Sequence, residues 1–163
     1  MTRVANISRA GLLAGALLLP ACPVMAASSG PFTPLAGQWS GGGTLRTTDG
    51  NAEQLRCRAT YNVESAGTNL QLELRCASAS YNFQLGSDVV YQGGRISGSW
   101  SEATHNAGGS LSGRASSGQI EATATGQNFA ANLALTTRGN EQRISLRSQG
   151  SEIADVSLAL SRR

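Results

Sequence analysis

The chain contains no lysine, one histidine, three cysteines, four prolines and eight aromatic residues in 163 positions. A lone histidine cannot furnish a histidine-rich metal centre, and three cysteines cannot staple a disulfide-dense miniprotein. The dispersed acids exclude a disordered acidic tail. Eight aromatics are too few for the two girdles of an outer-membrane barrel. All formal cationic charge comes from 13 arginines, set against 10 acids. Arg3 and Arg9 belong to a segment read below as removed, so the remainder carries 11 arginines against 10 acids, about +1. That balance lacks the basic footprint of a nucleic-acid binder. What is plentiful is glycine, with 20 residues, and the length suits one domain.

Residues 1–26 read as an export signal. Arg3 and Arg9 precede an apolar run from Ala10 to Leu19, closed by Pro20 and small residues. The run falls well short of the about 20 residues that a membrane-spanning helix needs. Cleavage after Val24-Met25-Ala26 would release a soluble product, whereas Leu19-Pro20-Ala21-Cys22 resembles a lipoprotein box that would acylate Cys22. Pro20 suits that box poorly, which favours the soluble product. Both routes deliver the domain outside the cytoplasm, periplasmic or secreted, as a leader at 27–34 and a β-domain at 35–163.

From Gln38 onward apolar residues recur at every second position, the period of a half-buried strand. Leu70, Leu72, Leu74 and Cys76 share one face against Gln71, Glu73 and Arg75. Leu55, Cys57, Ala59, Tyr61 and Val63 repeat the pattern against Arg56, Arg58, Thr60 and Asn62. Further strands are expected over 39–47, 81–85, 89–92, 95–102, 110–116, 119–125, 129–138, 141–148 and 152–160. Short Gly- or Asn-bearing connections join them, which favours antiparallel neighbours. The expected class is therefore all-β: an antiparallel meander of about 8–10 strands closed into a small barrel, with a sandwich as the alternative. Closure is preferred because it leaves no exposed sheet edge.

Once the signal is removed, Cys57 and Cys76 are the only cysteines, an even number in an oxidising compartment. A hairpin turning between Ala66 and Gly67 sets them directly opposite, on the apolar face of both strands. A structural disulfide is expected, contributing about 3 kcal/mol by loop entropy.

Catalytic chemistry finds little footing. His105 lies in the polar stretch Thr104-His105-Asn106-Ala107-Gly108-Gly109, where a solvated side chain is the simpler expectation. Glu102 shares strand parity with Trp100 and is placed near one barrel mouth. No serine stands in a Gly-x-Ser-x-Gly elbow. Gly41-Gly42-Gly43 lacks the Lys-Ser/Thr and helix of a phosphate loop, so close strand packing explains it better. The chain is read as a non-enzyme without metal or cofactor.

Strand parity turns Trp39, Tyr61, Tyr81, Phe83, Tyr91 and Trp100 inward among glycines and alanines such as Gly41, Gly43, Gly113, Ala122 and Ala131. These six aromatics are the expected ligand-binding residues if a small apolar molecule occupies the interior. Aromatics filling the space left by the small residues, giving a packed core, is the slightly preferred expectation.

Leu35-Ala36-Gly37-Gln38-Trp39 resembles the Gly-x-Trp opening of lipocalin-like and avidin-like barrels, which implies that Trp39 plugs one end. Through Arg56-Cys57-Arg58-Ala59-Thr60-Tyr61, Leu74-Arg75-Cys76-Ala77-Ser78 and Ile96-Ser97-Gly98-Ser99-Trp100 the chain also resembles uncharacterised exported proteins of alphaproteobacteria. That resemblance implies a periplasmic barrel. A narrower similarity, to bacterial metalloproteinase-inhibitor barrels with a Gly-Gln-Trp-like opening, implies an inhibitory arm at Ser28–Pro34. A streptavidin-like biotin pocket would need more tryptophans than Trp39 and Trp100. The expected function is a non-enzymatic envelope binding barrel, with a small apolar ligand or an envelope protein as partner. The alternatives are a proteinase inhibitor acting through the leader, and a structural component whose Arg46, Arg56, Arg58 and Arg75 meet anionic polymers.

Overall fold

Ten strands follow one another in the computed structural model, which describes residues 29–163. The expected signal segment, with Cys22, lies outside the described residues. The strands are β1 (Gly37–Thr47), β2 (Ala52–Glu64), β3 (Asn69–Ala77), β4 (Asn82–Gln92), β5 (Arg95–Glu102), β6 (Ala107–Ser116), β7 (Gln119–Gly126), β8 (Phe129–Arg138), β9 (Glu141–Gln149) and β10 (Ile153–Arg162). Each pairs antiparallel with its sequence neighbour, and β1 pairs with β10, so the meander closes and the sandwich alternative is set aside. Closure satisfies both edges through main-chain hydrogen bonds. Among the described residues, no helix is long and apolar enough to cross a membrane.

The expected strands at 81–85 and 89–92 are one continuous β4. The interruption read at Gly86-Ser87-Asp88 does not occur, because Gly86 is paired with both Glu73 and Ser101 and the ladder runs through it. Main-chain pairing on both sides holds a strand where the side-chain pattern lapses. Ser87 turns inward and donates its hydroxyl to the Ser99 carbonyl at 2.9 Å.

The β2–β3 register is the one expected. Val63 faces Leu70, Tyr61 faces Leu72, and Cys57 faces Cys76 with a disulfide between them and Cα atoms 4.1 Å apart. The turn that sets this register carries Ser65 and Ala66 at positive φ, a conformation non-glycine residues seldom adopt.

One end of the barrel is sealed. Gly30 N–H donates to the Ala66 carbonyl, Phe32 N–H to that of Gly67, and Gly118 N–H to that of Pro31, so the chain before β1 is laid across the mouth of that end. A 3₁₀ turn at Thr33–Leu35 then brings Phe32 and Leu35 into the floor, both fully buried. The leader read at 27–34 is therefore part of the barrel from Gly30 onward. Two apolar side chains too costly to leave in water, together with three main-chain bonds to the β2–β3 and β6–β7 turns, draw it in.

Candidate functional site

Above this floor the interior is hollow. A cavity of about 640 Å³ opens at the end where the β3–β4, β5–β6, β7–β8 and β9–β10 connections meet. Its wall is mostly aliphatic, with Leu72, Leu74 and Leu85 on one side and Ala124, Ala131 and Leu133 on the other. The fully filled core that the sequence favoured is not formed: one cluster of buried side chains, Leu45, Leu55, Ile96 and Leu158 among them, packs together yet leaves this space open. The aromatics gather at the rim and leave the space below it open: Tyr81 stacks on Phe83 at 6.0 Å, and Trp100 of β5 reaches over β6 and β7 to meet Phe129 of β8 at 5.3 Å. Alternating residues on a ten-stranded wall point toward a lumen too wide for side chains of this size to fill.

Of the six aromatics expected to contact a ligand, Tyr61, Tyr81, Phe83 and Trp100 line the cavity. Trp39 and Tyr91 do not. Trp39 sits in the floor, its indole N–H donating to the Leu35 carbonyl at 2.7 Å and the Arg162 guanidinium 4.4 Å from its ring centroid. Arg162 also donates to the Pro34 carbonyl at 2.7 Å and to that of Ala36. Tyr91 packs edge-on against Phe32 at 6.4 Å, on the floor side. Both lie near the floor end of their strands, a position that strand parity alone does not report.

Sequence reasoning missed the polar chain above the floor. The Tyr61 hydroxyl donates to Gln142 Oε1 at 2.8 Å, and Gln142 Nε2 donates to Thr137 Oγ1 at 3.1 Å. Gln142 is 1% exposed, and burial pushes the Tyr61 phenol up. The available signal was parity: Gln142 is in step with inward Ile144, and Thr137 with Leu135.

At the rim, Glu102 is 7% exposed and has both oxygens engaged. Oε1 accepts from the main-chain N–H of Gln84 at 2.9 Å and of Thr104 at 3.0 Å. Oε2 accepts from the N–H of His105 at 2.8 Å and lies 2.6 Å from His105 Nδ1. Burial by itself would raise this carboxyl, but the N–H groups of Gln84, Thr104 and His105 with the imidazole outweigh it and hold its pKa at about 2. A carboxylate can only accept, so Nδ1 carries the hydrogen and Nε2 is the free position of the ring. His105 is thus exposed as expected, yet held rather than loose. Among the described residues no group of three or more His, Cys, Asp or Glu side chains is placed to hold a metal ion.

The Glu102 clamp makes stability acid-sensitive. Its folded pKa lies below the ordinary 4.5, so its contribution is present above about pH 4.5 and is lost as the pH falls toward 2. Urea unfolding at neutral pH and near pH 3 should show wild type losing more stability on acidification than Glu102→Gln; equal losses would dismiss the clamp.

Neither a protein family nor a curated protein matches this chain. Solved structures do match in fold. Rv2717c from M. tuberculosis has a TM-score of 0.64 at 14% identity, covering 80% of this chain and 94% of that one. A protein of unknown function of the DUF3598 family from Nostoc punctiforme has a TM-score of 0.56 at 12% identity, covering 80% of this chain and 48% of that one. The S-type phycobiliprotein lyase CPES from Guillardia theta has a TM-score of 0.55 at 11% identity, covering 81% of this chain and 89% of that one. At these identities the likeness is one of fold: this chain is a ten-stranded antiparallel barrel similar to these proteins.

Proposed function

We propose that the protein is a non-enzymatic binding barrel that acts outside the cytoplasm and holds one small apolar ligand. The observation that carries this reading is the cavity of about 640 Å³, aliphatic in its wall, closed below and open above. Its volume falls within the range of ligand pockets, and among its few polar groups Tyr61 stands toward the floor and Glu102 and His105 at the rim, where they can orient a ligand. The fold likeness to a phycobiliprotein lyase is compatible with a binding barrel. A non-enzymatic role is supported by the state of Glu102, whose acceptor positions are already occupied and whose low pKa makes it a weak base. Export is supported by residues 1–26 and by the Cys57–Cys76 bridge, a bond that persists in oxidising compartments. An inhibitory arm at Ser28–Pro34 finds no such support, since Pro31 and Phe32 are buried in the floor.

The test is a fluorescence titration with N-phenyl-1-naphthylamine, a neutral apolar probe. Saturable one-to-one enhancement is expected. Ala124→Trp, which projects an indole from the wall into the cavity, should weaken it by about tenfold or more while the melting temperature stays close to wild type. Absence of saturable binding, or full binding by the folded variant, would remove the reading.

A further inference from the structure

The charges that reach the cavity are of one sign. Its lining includes Glu102 at the end of β5 and Glu152 in the β9–β10 connection, and none of the 11 arginines among the described residues. Lysine is absent from the whole chain. His105 is the one lining group able to take up positive charge, at Nε2, and its Nδ1–H already lies 2.6 Å from Glu102, so that charge would be paired within the protein. Two rim donors are engaged within the protein: His105 Nδ1–H with Glu102, and the Trp100 indole N–H with the Thr125 carbonyl at 3.1 Å.

We infer that the polar end of the ligand is cationic: a hydrophobic amine or quaternary ammonium compound whose apolar body fills the cavity while its charged head stays among the rim aromatics and carboxylates. This rests on the reading that the cavity holds a ligand. The rings of Tyr81, Phe83, Trp100 and Phe129 line that end, and aromatic faces attract a cation through the ring quadrupole. The carboxylates add attraction: Glu102 from a buried position where screening is weak, and Glu152 from an exposed one where salt screens it. The Tyr81 phenol reports the same field, raised first by burial and then by Glu152, Glu53 and Asp49. An anionic head would be partly stripped of water and meet repulsion, with no arginine or lysine to receive it.

Decyltrimethylammonium, decanol and decanoate share one chain and differ in head charge, so calorimetric titration of the intact folded protein with each, below their micelle concentrations, separates the possibilities. The ammonium should bind about tenfold or more tighter than decanoate, with decanol between, and added salt should narrow the gap. Glu152→Gln, a change at an exposed position, should reduce the ammonium-to-decanoate ratio several-fold. Decanoate binding as tightly as the ammonium, or a ratio unmoved in Glu152→Gln, would overturn the inference and leave the binding barrel standing. Failure of all three to bind would instead overturn the binding barrel itself.

Discussion

Trp39→Ala is expected to lower stability by about 5 kcal/mol, enough to threaten folding in a domain whose net stability is of order 5–15 kcal/mol. The indole is 1% exposed, so its removal leaves a large void in the floor. The Leu35 carbonyl loses its donor, a buried acceptor left unpaired at a cost of about 1–3 kcal/mol. Arg162 loses the ring beneath it while still tethered to Pro34 and Ala36. The consequence reaches both chain ends, since Arg162 closes β10 and the segment from Gly30 to Leu35 closes the floor. Thermal unfolding followed by circular dichroism should show a midpoint lowered by about 15 °C or more. Trp39→Phe, which keeps a ring but loses the N–H, should fall between. A midpoint within a few degrees of wild type for Trp39→Ala would mean that the floor does not hold the barrel closed.

Gly43→Ala is expected to be nearly as severe. Gly43 stands where β1 closes against β10, opposite Leu158, and also faces Leu55 of β2. A Cβ there would overlap the Ser157 carbonyl oxygen and crowd the Leu158 Cα at 2.8 Å. Main chain cannot swing aside as a flexible side chain can, so the closing pair must separate or shift. We expect a loss of about 3 kcal/mol or more. Gly86→Ala is the matched control: its added Cβ would meet the Ser101 hydroxyl at 3.3 Å, a group that can rotate away. A soluble, wild-type-like Gly43→Ala protein would show that the seam tolerates opening. The same close approach recurs at Gly41, which explains Gly41-Gly42-Gly43 as strand packing and not as a phosphate cradle.

How far the site was legible varies by residue. Period-two alternation placed Tyr61, Tyr81, Phe83 and Trp100 on the inward face, and they line the cavity. The same alternation could not separate them from Trp39 and Tyr91, because parity reports which face a residue takes and not its height along the barrel axis. Glu102 was placed at a mouth from its parity with Trp100. Its grip on His105 was not foreseen, because the Thr104–Asn106 turn folds the ring back by a conformation in which Asn106 has positive φ. Phe32 was read as leader because nothing local ties Pro31-Phe32-Thr33-Pro34 to a strand. Its partners, Gly67 and Tyr91, are distant in sequence.

The sequence alone determined the all-β class, the antiparallel order and the Cys57–Cys76 pairing. These follow from local rules, since side chains alternate along each strand and a short turn sets the register between neighbours. Only the tertiary structure decided that the interior is hollow, that the chain from Gly30 seals one end, and that Glu102 and Glu152, with no arginine, line the cavity at the other. Lumen width depends on how all ten strands coil and close together, and each rim or floor is assembled from several loops, so neither can be read from any single stretch of the chain.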